Sequence, residues 1–143
     1  MNLRERLIQI ALEWQKLYGV APAITSALSE YDAAQLIGMS ERDYSLYMQD
    51  KTAVMKGHDF IFQDIKYQIK AHRPSGKKNS KITNAGKAKN YEWDYLIWIC
   101  YNENYTIQEA WCWERKKYID AFDSKQRITP LDMRNGKCLF PES

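Results

Sequence analysis

In the segment GHDFIFQDIKYQIKAHR, Asp59, Gln68 and Lys70 stand at spacings that suit metal-assisted phosphodiester chemistry. Residues 59–62 and 65–72 predict two strands about a tight turn at Gln63 and Asp64. Such a turn sets Phe62 opposite Ile65, and therefore Asp59 opposite Gln68. Along the second strand Ile65, Tyr67, Ile69 and Ala71 face one way, and Lys66, Gln68, Lys70 and His72 the other. A hard divalent cation such as Mg²⁺ takes oxygen ligands and keeps several waters. Asp59 can supply a carboxylate oxygen, Gln68 an amide oxygen and Ile69 its backbone carbonyl. Lys70 then stands where an ammonium can orient an attacking water and stabilise charge growing on a phosphoryl group.

A cationic segment follows directly. Residues 65–91 hold Lys66, Lys70, Arg73, Lys77, Lys78, Lys81, Lys87 and Lys89 with no acidic residue, although the whole chain carries only +3. Its central part, HRPSGKKNSKITNAGKAKN, has no hydrophobic period and reads as a loop. A lysine-rich loop on a small domain suits a phosphate backbone, from which each bound ammonium displaces a condensed counterion. The plainer reading is a solvated charge run. Arg73, Lys77, Lys78, Lys81, Lys87 and Lys89 are the candidate nucleic-acid contacts, with Tyr91 and Trp93 at the loop exit as candidate stacking surfaces.

Several elements must position these groups. Leu3, Leu7, Ile10, Ala11, Trp14 and Leu17 recur at helical spacing over 2–18, and Gly19 and Pro22 stop that helix. A second helix is predicted over 24–37, with Thr25 or Ser26 near its start and Gly38 at its end. A short helix is predicted near 40–50. After the loop, 94–101 (DYLIWICY) is a nearly continuous apolar run, as in a strand covered on both faces. Residues 106–113 read as a further strand and 114–122 as a short helix, while the tail from 124 has no clear element. The order helix, helix, strand, strand, loop, strand, strand, helix predicts one α/β domain over 1–143, a central mixed sheet flanked by helices.

The series Asp59, hairpin, Gln68–Ile69–Lys70 resembles the PD-(D/E)xK nuclease motif, in the D…QxK form of Mrr-like restriction endonucleases. The resemblance covers about residues 24–113. It implies a restriction endonuclease-like fold, and a Glu on the preceding helix that reaches the metal directly or through water. In SALSEYDAAQLIG, residues 26–38, Glu30 matches that acid. The implied activity is a Mg²⁺-dependent endodeoxyribonuclease, with Mn²⁺ as a possible substitute, DNA as partner and no small-molecule cofactor. Two departures stand out: His58 replaces the Pro before Asp59, and Gln68 replaces an acid, removing one negative charge from the metal site. The resemblance also implies a homodimer, because one small domain offers one site and a two-fold pair suits a duplex.

At 143 residues, with 45% hydrophobic and 27% charged residues, the chain has the composition of a globular domain and not of a disordered or fibrous one. It holds no apolar run of the roughly 20 residues that cross a bilayer. Arg4, Glu5 and Glu13 interrupt any secretory core, and three cysteines without ligand spacing suggest neither a disulfide framework nor zinc. Together these predict a cytoplasmic protein without a membrane partner. Two competing functions lack catalysis: a nuclease-fold module that binds nucleic acid or a larger complex, and a protein adaptor with an incidental basic loop.

Overall fold

Helix α1 (Leu3–Tyr18) begins under an Asn2 side chain that accepts the Glu5 N–H, and ends where Gly19 turns left-handed at φ 88°. The computed structural model describes residues 1–51 and 57–142. Helices α2 (Thr25–Leu36) and α3 (Glu41–Asp50) follow. Ser40 caps α3 by accepting the Asp43 N–H, whereas neither Thr25 nor Ser26 caps α2, whose first position outside the helix is Ile24.

Strands β1 (Phe60–Phe62) and β2 (Ile65–His72) form the anticipated hairpin. Gln63 and Asp64 both take positive φ, 52° and 63°, the backbone twist that a two-residue hairpin turn requires. The observed pairs Phe62–Ile65 and Phe60–Tyr67 are the register that such a turn imposes. Residues 73–94 form neither helix nor strand and lead to β3 (Tyr95–Tyr101), which pairs parallel to β2. Strand β4 (Ile107–Glu114) runs antiparallel to β3, and α4 (Arg115–Phe122) follows. The tail that carried no clear pattern supplies α5 (Pro130–Met133) and a fifth strand, β5 (Lys137–Phe140), antiparallel to β4. Both are too short for a periodic signal.

The sheet order is β1-β2-β3-β4-β5, one mixed sheet flanked by helices in a single α/β domain. Leu96, Ile97, Trp98 and Ile99 are fully buried because side chains alternate between two covered faces. Ile97, Ile99 and Tyr101 pack with Tyr67, Ile69, Leu28, Ala33 and Ala34 on the α2 side. On the other side Leu96, Trp98 and Trp113 pack with Trp93, Tyr118, Phe122 and Ile128.

Three side-chain placements follow from the packing, one of them a correction. The apolar stripe of α1 does not turn toward the core: Ala11 is buried with Ile8 and Leu12 beside it, while Leu3, Leu7, Ile10, Trp14 and Leu17 are exposed. Trp93 is fully buried, its indole N–H donated to the Asn90 carbonyl, and offers no ring for base stacking. Cys138 is exposed, unlike the partly buried Cys100 and Cys112, whose thiols burial pushes up to about 11.

Candidate active site

Strand β1 starts at Phe60, one residue after Asp59, so among the described residues its pairing with β2 stops at Tyr67. The Asp59 N–H closes that ladder on the Tyr67 carbonyl at 2.8 Å. Beyond it the edge of β2 is open, and the Asp59 carboxylate fills the next position: its Oδ2 accepts the Ile69 N–H at 2.7 Å. A strand residue directs its N–H and C=O to the same neighbour, which leaves the Ile69 carbonyl on this edge too.

Helix α2 packs against β2 and brings Glu30 to the same place. The Glu30 and Asp59 carboxyl groups lie close together, and Glu30 is pushed up to about 7. Burial is the larger cause and the Asp59 charge the next, because two neighbouring carboxylates resist ionising together. Lys51, at the C-terminal end of α3, was not anticipated from sequence. Its Nζ donates to the Asp59 carbonyl at 2.9 Å and lies 3.8 Å from Glu30 Oε1, partly offsetting the carboxyl charge.

Lys70 projects from the opposite face of β2 to Tyr67 and Ile69. Its pKa is lowered, first by burial and then by Lys89, with Asp59 pulling the other way. Among the described residues its ammonium has no hydrogen-bond acceptor. Gln68 is half-buried on the same face, one register step past the Phe60–Tyr67 pair and so across the hairpin from Asp59. The structure thus gathers Glu30, Asp59, the Ile69 backbone and Lys70, with Gln68 adjacent but without a hydrogen bond to Asp59.

His72 carried no assigned role in the sequence, where a histidine on a polar strand face is most simply solvent-exposed. Here its Nδ1 accepts the Trp98 indole N–H at 3.1 Å. In the neutral ring that bond leaves the proton on Nε2. Burial first and Lys70 second lower the His72 pKa, which favours this neutral form. Gly86 lies over both side chains: a Cβ there would stand 3.8 Å from Lys70 Nζ and 3.9 Å from His72 Nε2. Gly86 also has φ 73°, a conformation few other residues adopt, and its N–H is held by Asn84 Oδ1 at 2.8 Å. The cationic segment therefore passes directly above the Lys70 and His72 pair.

That segment divides into an anchored and a free part. Ala85 N–H bonds the Ile128 carbonyl, Ala88 N–H bonds the Tyr118 hydroxyl, and Lys87 Nζ donates to the Asp123 and Lys125 carbonyls beyond α4. Arg73 is tied to the Glu103 carbonyl and Gln15 Oε1 and lies over the Tyr105 ring at 4.2 Å. Two candidate nucleic-acid contacts, Arg73 and Lys87, thus hold the domain together. Lys77, Lys78, Lys81 and Lys89 are exposed.

Among the described residues no three His, Cys, Asp or Glu side chains cluster as a metal cage. Two half-buried, neighbouring carboxyl groups, with a carbonyl and an amide at hand, still suit a hard cation that retains water. No protein-family model matches the chain, and no curated protein matches it.

Proposed function

We propose that this chain is a metal-dependent nuclease of the restriction endonuclease-like class that hydrolyses DNA phosphodiester bonds at the Glu30–Asp59–Lys70 site. The observation that carries this reading is the Glu30–Asp59 carboxyl pair, held at the open edge of β2 beside the Lys70 ammonium. The order α2, hairpin, β3, β4 supports it, since it is the arrangement that the D…QxK resemblance implies.

Asp59, Glu30, the Ile69 carbonyl and Gln68 would hold Mg²⁺, or Mn²⁺ in its place. The ion, when bound, supplies Lewis-acid polarisation of a phosphoryl oxygen and a more acidic water. The rest is done by the chain. The Ile69 N–H fixes the Asp59 carboxylate so that the charge does not reorient during the reaction. Glu30, raised by burial and by the Asp59 charge while no ion is present, would give up its proton as it takes the ion. Lys70, without an acceptor among the described residues, can orient a water and stabilise a developing phosphorane charge. His72, through Nε2–H, can donate to a phosphate oxygen. The exposed Lys77, Lys78, Lys81 and Lys89 would follow the DNA backbone.

Supercoiled-plasmid cleavage in Mg²⁺, Mn²⁺ or EDTA tests the proposal. Nicking should require the metal and fall by about 100-fold or more in Asp59→Ala and Lys70→Ala, as for loss of a group acting directly on the reacting charge. His72→Ala should retain metal dependence while cutting about 10-fold more slowly, the loss of one hydrogen bond to a charged oxygen. Equal residual cleavage in wild type and both site variants would overturn the proposal. Absent cleavage with intact, salt-sensitive DNA binding would overturn it in favour of a binding module. Lys51 beside Glu30 is the observation that favours that second reading, because an internal ammonium already counters part of the carboxyl charge.

A further inference from the structure

We propose that the outer face of α1 pairs two copies of this chain as antiparallel helices. Leu3, Leu7, Ile10, Trp14 and Leu17 are 76%, 36%, 57%, 51% and 73% exposed. They follow one another at alternating steps of four and three residues. This 3.5-residue period is the seam of a helix that packs along another helix, narrower than the stripe by which a helix covers its own domain. The domain takes the neighbouring stripe instead, through Ile8, Ala11 and Leu12. Tyr18 and Val20 extend the exposed surface past the helix end.

The patch is on the order of several hundred Å² of apolar surface, at or above what monomeric proteins leave in contact with water. Doubled across a two-fold axis it falls near or below the roughly 1,200 Å² of total buried surface at the low end of specific interfaces, the range of a weak, concentration-dependent dimer.

Charge selects both the occupant and its direction. With Leu7 and Trp14 at heptad position a, and Leu3, Ile10 and Leu17 at d, the flanking g positions are Arg6 and Glu13, both exposed. The e positions are Arg4, Ala11 and Tyr18. Arg4 is already bound to Asp32, and Ala11 is buried. A parallel pair would set each g against an e of its partner, placing Arg6 on Ala11 and Glu13 on Tyr18, with no charges matched. An antiparallel pair sets g against g, so Arg6 meets the partner's Glu13 and Glu13 meets the partner's Arg6. That arrangement is closed and self-complementary, as a two-fold dimer must be.

The seam also reaches the basic segment. Gln15, one step round the helix from Trp14, donates to the Ser75 carbonyl at 2.6 Å and accepts from Arg73. Pairing α1 with its copy would therefore hold two basic segments in a set relation. This pairing is independent of the chemistry proposed for the Glu30–Asp59 site.

Sedimentation equilibrium of the full chain from about 1 to about 200 µM tests it, since mass action makes a dimer concentration-dependent. The expected mass is twice the 16.9 kDa of one chain. Ile10→Glu, at an exposed position, should leave the circular dichroism unchanged, and the melting temperature unchanged at concentrations where wild type is monomeric, while weakening dimerisation about 100-fold, the effect of burying an unpaired charge at the seam. Arg6→Glu should weaken it several-fold, and Arg6→Glu with Glu13→Arg should restore it. A wild type that stays monomeric throughout, or a dimer indifferent to Ile10→Glu, would overturn the assignment of this face. Failure of the charge reversal to restore affinity would overturn the antiparallel pairing.

Discussion

Glu30 is held above the usual carboxylate range first by partial burial and then by the neighbouring Asp59 charge. The consequence is a pH dependence of the metal-free protein. Glu30 is raised to about 7 in the folded chain against about 4.3 for an unfolded one. Between those values the folded state binds the extra proton, so this group's contribution to stability is fully present at low pH and is lost as pH rises through about 7. The expected loss is on the order of 1–3 kcal/mol in metal-free protein. Melting temperatures in EDTA across this range should show the decline in wild type and a flatter profile in Glu30→Gln. A Glu30→Gln slope equal to that of wild type would place the titration elsewhere. His72 presents a different residue-scale device. Its Nδ1 is occupied by Trp98, so its orientation and tautomer are set by a core residue and not by solvent.

At the scale of elements, α1, α2 and β3 are joined through one carboxylate. Asp32, 4% exposed, accepts Arg4 Nε and Nη2 at 2.6 and 2.9 Å and the Tyr101 hydroxyl at 2.6 Å. Arg4 lies in the first turns of α1, Asp32 in α2 and Tyr101 at the end of β3, so the triad fixes the helix that carries Glu30 against the sheet. Asp32→Ala would leave a partly buried guanidinium and a buried hydroxyl unpartnered. It should destabilise the fold by about 2–4 kcal/mol, read as a lower urea midpoint with an unchanged slope. The hairpin works by a similar economy of parts. With only three residues in β1, its register depends on the Gln63–Asp64 turn and on the Asp59 bonds to Tyr67 and Ile69.

Across the whole molecule, the long connection between two parallel strands is held flat on the sheet from about Ala85 to Trp93, while 75–81 is exposed. Basic residues of one segment consequently serve different ends. Removing Lys77, Lys78, Lys81 or Lys89 should leave the melting temperature unchanged. The slope of log affinity for DNA against log salt should become shallower by about 0.9 for each phosphate left without its ammonium. Arg73→Ala and Lys87→Ala should lower the melting temperature instead, because their partners are the Glu103, Asp123 and Lys125 carbonyls, Gln15 and Tyr105. Fluorescence anisotropy titrations at several salt concentrations, beside thermal melts, separate the two groups. A uniform loss of affinity in all six without change in stability would contradict the division. Among the described residues, no helix is long and apolar enough to cross a membrane.

The sequence by itself determined the elements with a strong period and the register of the hairpin. Alternation in 65–72, the apolar run of 94–101 and a two-residue turn are local properties, and pairing Phe62 with Ile65 follows from turn length alone. They also brought out Asp59, Gln68 and Lys70 as residues to inspect, while Glu30 came only from the family resemblance. Tertiary structure decided what periodicity does not encode. A helical stripe says which residues share a face, but not whether that face meets the domain or its surroundings, and in α1 the seam of Leu3, Leu7, Ile10, Trp14 and Leu17 turned outward. Composition counts charges without their partners, so Arg73 and Lys87 were indistinguishable from Lys77 until their acceptors were in place. Lys51 has no local pattern, and the pattern of β2 gives His72 a face but no partner. Their positions arise from long-range packing, which brings α3 to the Asp59 carbonyl and the Trp98 indole to the imidazole of β2.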